Sequence, residues 1–395
     1  MTSSQNSRFI ASTLLLDSDG TLKKNTITEF SQQGELVNIL YDQTDIDSKP
    51  NVEYYNGILI PSMVNAHNHT ELSYFEGLIP QGTGLVDFIE HVIKYRNAYD
   101  VPERVDKMKV QDRKMWLEGT GAIGDISNND FTLPVKAESP IYYHTFVEYF
   151  GHCDDDKAQH YFDQNVQPII DKAQQLGLPA TASPHSTYMV NDKLFKLGAN
   201  SPRPSIHFME TPSELEFYDK KGQMYDFVTS DGSQPNFTHY KSHPERLVQS
   251  LPASLPLVLV HCTQMKKEDI EKVANHFNDV TFVTCPRSNY YIEKAYPPLE
   301  LFDQMGVNVA IGTDSLCSNT SYSIASEIEW IARHYPNIRL ETILKWATTG
   351  GAHALGIDNS MGQMKVGTKC GAVLLEGFDT KTLKPINPIT SRRLV

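Results

Sequence analysis

From residue 122 onward the chain repeats one pattern. A short apolar run of β-forming residues gives way to a polar turn, and then to a stretch with apolar positions every three or four residues. The runs are Ala122–Ile126, Ile141–Tyr149, Pro179–Ser183, Pro204–Phe208, Leu257–Val260, Val280–Thr284 and Val307–Ile311; with Leu59–Val64 they make eight. Between them lie amphipathic stretches such as Leu85–Arg96, Val105–Glu118, Asn165–Leu176, Lys267–Phe277 and Ile324–His334. Continuous apolar strands alternating with helical periodicity are the mark of parallel β-α units. Eight of them predict an α/β fold built on a (β/α)₈ barrel. The two ends read differently. Phe9–Leu16, Thr21–Phe30, Glu35–Tyr41 and Ile58–Ile60 are short strands separated by turn residues, and Ala372–Glu376 is another strand after a Gly-rich stretch. Residues 1–60 plus 357–395 are therefore expected to form a small composite β-sandwich around a barrel domain at 61–356.

Charge narrows the function. The 395 residues carry a formal net charge of −13 with 21% charged residues. No basic cluster suited to phosphates is present, which argues against nucleic acid and anionic membrane surfaces as partners. Five cysteines, odd in number and without a C-x-x-C pair, indicate neither a disulfide framework nor a thiolate zinc site. No apolar run approaches a membrane span, and the first sixteen residues lack the pattern of a signal peptide, so a cytoplasmic location is expected. Gly119-Thr-Gly121-Ala-Ile-Gly124 spells G-x-G-x-x-G, but it leads from a helical stretch into a strand. The dinucleotide fingerprint needs the opposite order.

The chemistry gathers where barrel strands end. Strand one ends in His67 and His69, whose i, i+2 spacing aims both rings to one side. Strand four leads to His185, strand five carries His207 and Glu210, strand six ends in His261 and strand eight in Asp314. Barrel enzymes place reactive groups on this face. His67, His69 and His207 would supply neutral nitrogens and Asp314 a carboxylate around one divalent ion, with a position left for water. Such an ion lowers the pKa of its water toward roughly 7. Asp314, ligating or adjacent, can accept that proton. Glu210 is placed to pass a proton to substrate, or else is a surface glutamate capping the next helix. His261 would hydrogen-bond the developing oxygen or the attacking hydroxide, and His185 would contact the substrate.

Pro61-x-x-x-Asn65-Ala-His67-x-His69, His207-x-x-Glu210-Thr, Val260-His261-Cys and Gly312-Thr-Asp314-Ser-Leu-x-Ser-Asn319 resemble the amidohydrolase superfamily. The likeness is to its aminohydrolase branch of nucleoside and nucleobase deaminases and triazine chlorohydrolases. The resemblance implies a barrel with a composite β-sandwich and one zinc or iron ion. It also implies His67, His69, His207 and Asp314 as ligands, Glu210 and His261 as proton-transfer residues, and His185 as a substrate contact. His69-x-Glu71-Leu-Ser, Gly121-x-Ile-Gly-x-Ile-Ser127, Glu148-Tyr-x-Gly151 and Cys285-Pro-Arg-Ser-Asn289 look most like the aminofutalosine deaminase group. That implies deamination of an adenine-bearing nucleoside in menaquinone biosynthesis, by attack of metal-bound hydroxide on the amino-bearing ring carbon.

The alternatives within the fold are another N-heterocycle (guanine, a pterin, adenosylhomocysteine or a chlorinated triazine). Outside it stands a non-catalytic barrel scaffold, whose signature would be missing ligands. Where adenosylhomocysteine deaminases carry a ribose-holding glutamate, this chain reads Val92-Ile-Lys-Tyr-Arg96. Arg96 suits a substrate carboxylate, being planar and bidentate, or is simply exposed. Strand four holds no lysine, which excludes a carbamylated-lysine bridge and points to a single metal. Residues 218–245 are long for a strand-to-helix connection and read as a pocket wall or as a surface excursion. Dimers are common in the family, though nothing in the sequence requires one.

Overall fold

The computed structural model describes residues 7–152 and 154–395. Met1–Asn6 and Cys153 lie outside the described residues. Strands β1 (Arg8–Leu16), β2 (Leu22–Lys23), β3 (Ile27–Phe30), β4 (Leu36–Leu40) and β5 (Val52–Ile60) come from the N-terminal end. Eight strands follow: β6 (Met63–Asn68), β7 (Thr120–Ser127), β8 (Tyr142–Tyr149), β9 (Ala180–Pro184), β10 (Ser205–Phe208), β11 (Leu257–His261), β12 (Val280–Thr284) and β13 (Asn308–Ile311). A final pair, β14 (Val373–Phe378) and β15 (Pro385–Arg393), closes the chain.

The eight central strands run parallel in two four-stranded arcs, β6-β7-β8-β9 and β10-β11-β12-β13. Both seams are bridged at the carboxyl end of the strands. The amides of Thr313 and Asp314 donate to the His67 carbonyl (3.0 and 3.1 Å), and the His207 amide donates to the His185 carbonyl at 2.9 Å. Parallel bridges Asn68–Asp314 and Ser186–His207 mark the same places. The result is the expected (β/α)₈ barrel, its two arcs joined at His67 and Asp314 on one side and at His185 and His207 on the other. Strands β11 and β12 are buried at every position, as expected where side chains fill the barrel inside and helices cover it outside.

The terminal strands form one seven-stranded sheet, ordered β15-β14-β5-β1-β3-β4 with β2 beside β1. Several boundaries differ from the sequence pattern. The apolar run at 59–64 is two strands: Ile60 ends β5 and Met63 begins β6, with Pro61 at the handover. The expected strand at 21–30 is broken in two by a turn at Asn25, whose φ is 56°. The expected helix at 165–176 is the second of two, Ala158–Asn165 and Gln167–Gln175. Strand β15 is an addition. Its residue Arg393 docks the sheet on the barrel, donating to the carbonyls of Trp116 and Thr120 (both 3.0 Å) and to Ser62 Oγ at 3.1 Å. No helix among the described residues is long and apolar enough to cross a membrane. The four described cysteines are buried and free.

Candidate metal centre and active site

His69, His185, His207 and His261, with Glu210 and Asp314, line one cavity of about 580 Å³ at the carboxyl end of the barrel; His67 stays behind its wall, fully buried. Local backbone strain helps to aim them. Met209, His261, Cys262 and Asp314 all have left-handed φ, between 48° and 71°, a conformation non-glycine residues adopt rarely and at functional sites more than elsewhere. Gly312 explains why a glycine precedes Thr313 and Asp314. A Cβ there would lie 2.8 Å from His67 Cβ and from its carbonyl oxygen.

The closest group is His67, His69 and Asp314. Nε2 of His67 lies 3.2 Å from Nε2 of His69. Asp314 Oδ1 stands 3.7 Å from the first and 3.4 Å from the second. His67, His207 and His261 form a second set with ligand atoms within 4.8 Å of one another. Burial favours the neutral form of four of these rings. It lowers His69 and His261 well below the ordinary imidazole range, His207 to about 3 and His185 to about 4. The Nε2 atoms of His67 and His69 face each other, and one carboxylate oxygen faces both. Separations of 3.2–3.7 Å suit donors that each sit about 2.0–2.2 Å from a common ion. The donor set, three or four nitrogens and a carboxylate without thiolate, fits a divalent metal of the catalytic type.

Each of these side chains is held from behind, as metal ligands commonly are. His207 Nδ1 donates to the His185 carbonyl at 3.0 Å, with Glu148 Oε1 at 3.3 Å, which leaves Nε2 free to face the centre. Asp314 Oδ2 accepts from Ser288 Oγ (2.7 Å) and Ser318 Oγ (2.6 Å), which turns Oδ1 toward the histidines. Burial would raise its carboxyl, but the facing histidines, His67 foremost, hold it well below the usual range. Asn289 Nδ2 donates to His261 Nδ1 at 3.1 Å, so the neutral ring carries its proton on Nε2, 3.6 Å from Glu210 Oε2.

Glu210 is 6% exposed, so it is no surface residue. The residue that caps the following turn is Glu214, whose Oε1 accepts from the amides of Glu210 (2.8 Å) and Thr211 (3.0 Å). Burial first, then the nearby Asp314, Glu214 and Glu293, push the Glu210 carboxyl well above its ordinary value. Its surroundings favour the protonated form, and such a group can give its proton up to a bound base.

The cavity has three zones. Around the histidines lies a polar floor that includes Glu71, Asn128 and Glu148. Glu71 Oε2 accepts from the amide of Asn128 (3.1 Å) and from Asn129 Nδ2 (3.2 Å), and Glu148 Oε2 accepts from Asn128 Nδ2 (3.1 Å). Both acids stand in motifs quoted above, His69-x-Glu71-Leu-Ser and Glu148-Tyr-x-Gly151, from which no role was read for them. A wall of Phe88, Ile89, Phe131, Tyr188 and Phe227 follows, and Arg96 and Arg104 stand at the rim. Arg96 is exposed, at the end of the helix Leu85–Tyr95.

The long segment at 218–245 is a wall. It includes the helix Gly222–Thr229, and its residues Tyr218, Met224, Val228 and Phe237 share a cluster with Leu85, Tyr188 and Ile292. Just beyond it, the fully buried Arg246 donates to the carbonyls of Thr187 (2.8 Å) and Val190 (2.7 Å). Tyr218 Oη also donates to Thr187 O, at 2.7 Å. The segment thus braces the loop that follows His185.

Comparison with known proteins agrees with this geometry. Residues 204–393 match the amidohydrolase family. The chain is 27% identical over 398 residues to a 5-methylthioadenosine/S-adenosylhomocysteine deaminase of Caldicellulosiruptor saccharolyticus, covering 95% of this chain and 84% of the relative. It is 27% identical over 330 residues to an aminodeoxyfutalosine deaminase of Deinococcus radiodurans, covering 77% and 75%. Among solved structures, Helicobacter pylori aminofutalosine deaminase in complex with methylthio-coformycin superposes with a TM-score of 0.79 at 21% identity, covering 95% of this chain and 94% of that one.

Proposed function

We propose that this chain of the amidohydrolase family is a metal-dependent aminohydrolase that deaminates an adenine-type nucleoside, with aminofutalosine as the best substrate. The observation that carries the reading is the pairing of Glu210, whose surroundings favour its protonated form, with a buried set of histidines and Asp314 on one cavity floor. His67, His69, His207 and Asp314 would hold one divalent ion, zinc first and iron second. When bound, it supplies Lewis acidity and brings the pKa of water toward roughly 7.

The chain's own residues account for the remaining steps. Glu210 delivers a proton to a ring nitrogen of the heterocycle, which makes the amino-bearing carbon electrophilic. Asp314 accepts the proton of the attacking water, and His261 Nε2–H steadies the oxygen that forms. His185 contacts the substrate. Asp314 passes the proton of the water to the amino group, the C–N bond breaks and ammonia leaves, and Glu210 regains its proton from the hydroxyl left on the ring carbon. The apolar wall suits the faces of a planar ring and keeps bulk water from it.

Arg96 at the rim would meet a carboxylate at the far end of the substrate. Arg104 supports this placement. Its Nε is tied to the Tyr99 carbonyl at 2.9 Å and its guanidinium lies over the Tyr74 ring at 4.8 Å. The named likenesses to aminofutalosine and methylthioadenosine deaminases favour a nucleoside over guanine, a pterin or a triazine.

Ammonia release tests the reading, using zinc-loaded protein with aminofutalosine, adenosine, adenosylhomocysteine, guanine and a pterin. Turnover confined to the nucleosides supports it. Turnover of guanine or the pterin alone overturns the substrate class and leaves the chemistry. Silence with no metal bound favours the scaffold.

A further inference from the structure

A buried ion pair sits behind the metal centre, outside the cavity. Lys136 Nζ lies 2.6 Å from Asp125 Oδ2, and both side chains are fully buried. Lys136 comes from the short helix Leu133–Glu138 and also donates to Ser127 Oγ (2.8 Å) and Thr145 Oγ1 (3.2 Å). Its three donors are thereby spent. Asp125 is on β7, level with Asn68 of β6. Its Oδ1 accepts from the backbone amide of Thr70 (2.8 Å) and its Oδ2 from the Thr70 hydroxyl (2.7 Å). From the opposite side, Tyr322 Oη donates to the carbonyl of His69 at 2.9 Å. These two contacts fall on a single peptide group. The carbonyl of the His69–Thr70 bond is held by Tyr322, and its N–H by Asp125.

We infer that Asp125, Lys136, Thr70 and Tyr322 form a clamp that fixes the His69–Thr70 peptide plane, and so sets the position of His69 Nε2 in the metal centre. They are positioning residues, since none lines the cavity. The arrangement matters because His69 lies just past the end of β6, where the ladder no longer fixes its backbone; its φ and ψ are −127° and 77°. The bulge in β6 between Asn65 and Asn68 has already broken the regular pairing there. Lys136 in turn fixes Asp125 from behind, its Nζ 2.6 Å from Oδ2. The inference rests on His69 being a metal ligand. It does not depend on which substrate is used.

The test is metal release and coordination in Thr70→Val, Tyr322→Phe and their combination, none of which leaves an unpaired buried charge. Zinc dissociation into a chelator is timed, the visible spectrum of the cobalt-substituted protein is recorded, and the melting temperature is read without metal. Outer contacts of this kind alter metal affinity about 10- to 100-fold. The expected result is release at least tenfold faster in the double variant, with an altered cobalt spectrum. The metal-free melting temperature should change little, and Thr70→Ser should restore release. A cobalt spectrum and release rate equal to wild type, with melting lowered equally with and without metal, would make the network an ordinary core ion pair and overturn the inference. Failure of His69→Ala to change the spectrum would instead overturn the ligand assignment on which it rests.

Discussion

Glu214 offers a measurement whose size follows from the fold. It is 1% exposed, and its Oε2 is buried without a hydrogen-bond partner among the described residues. Burial pushes its carboxyl from 4.5 up to about 8, against the amides of Thr211, Glu210 and Met209, which favour the charged form. The folded protein therefore holds this proton in a pH range where the unfolded chain has released it. The stability it contributes is fully present below about pH 4.5. It is lost progressively as pH rises toward 8 and changes no further above that. A rise from 4.5 to about 8 corresponds to roughly 5 kcal/mol at most. Glu214→Gln keeps the shape and the acceptor that caps Glu210 and Thr211, and it cannot ionise. Its amide would sit where Oε2 is already unpaired, so the two proteins should be nearly equal in stability at pH 5. At pH 9 the variant should be the more stable by several kcal/mol. Urea unfolding of metal-free protein at pH 5, 7 and 9 measures the difference directly. Wild-type and variant curves that stay parallel across that range would refute the argument. A variant less stable at every pH would show that the amide cannot occupy the site.

Glu210→Gln should lower kcat by about 10²–10⁴, the ordinary worth of a positioned proton donor, with KM little changed; steady-state ammonia release checks this. His207→Ala should lose the ion, leaving well under one metal per chain by elemental analysis where the wild type holds one. Arg246→Met removes two charge-assisted hydrogen bonds and the cation stacked 3.6 Å over Phe237. It should cost about 3 kcal/mol in urea unfolding, since the Val190 carbonyl is left buried and unpaired. Arg96→Ala should raise KM about tenfold for a substrate with a terminal carboxylate and leave adenosine unaffected. Equal effects on both would exclude a carboxylate contact.

The barrel and the histidine-lined floor of its cavity were legible because buried parallel strands leave long apolar runs, and the register of those runs says which residues come last. His67, His207 and His261 each end or nearly end such a run. The same signal misplaced the first strand. A mostly apolar stretch at 59–64 hides the handover from β5, in the terminal sheet, to β6, in the barrel; only Pro61 and Ser62 mark it. Strand β15 gave no such run: Pro385-Ile-Asn-Pro-Ile-Thr-Ser-Arg-Arg393 is mostly exposed, and its two prolines argue against a strand unless it lies at an edge, where it is found. Glu71, Glu148 and Asn289 sit in motifs visible in the chain, yet their partners are 58, 59 and 28 residues away. Such pairings belong to the folded barrel and have no spacing to read.

Why the unusual backbone collects at one edge follows from the same geometry. A parallel strand alternates its side chains between the barrel interior and the helices, so its last residue cannot by register alone point along the barrel axis to a common centre. A left-handed φ breaks that alternation, and it occurs at Met209, His261, Cys262 and Asp314, all at or just beyond strand ends. Each costs of order 1–3 kcal/mol and persists only where neighbours over-determine it. Asp314 shows how. Asn65 Nδ2 donates to Thr313 Oγ1 at 2.7 Å, and Asn319 Nδ2 donates to the Thr313 carbonyl at 2.9 Å and to the buried Glu327 at 2.9 Å. With Ser288 and Ser318 on its own carboxylate, the residue has no alternative seat. Asn65, Ser288, Ser318 and Asn319 do not line the cavity. They hold a strained aspartate at the angle from which one oxygen faces two histidines.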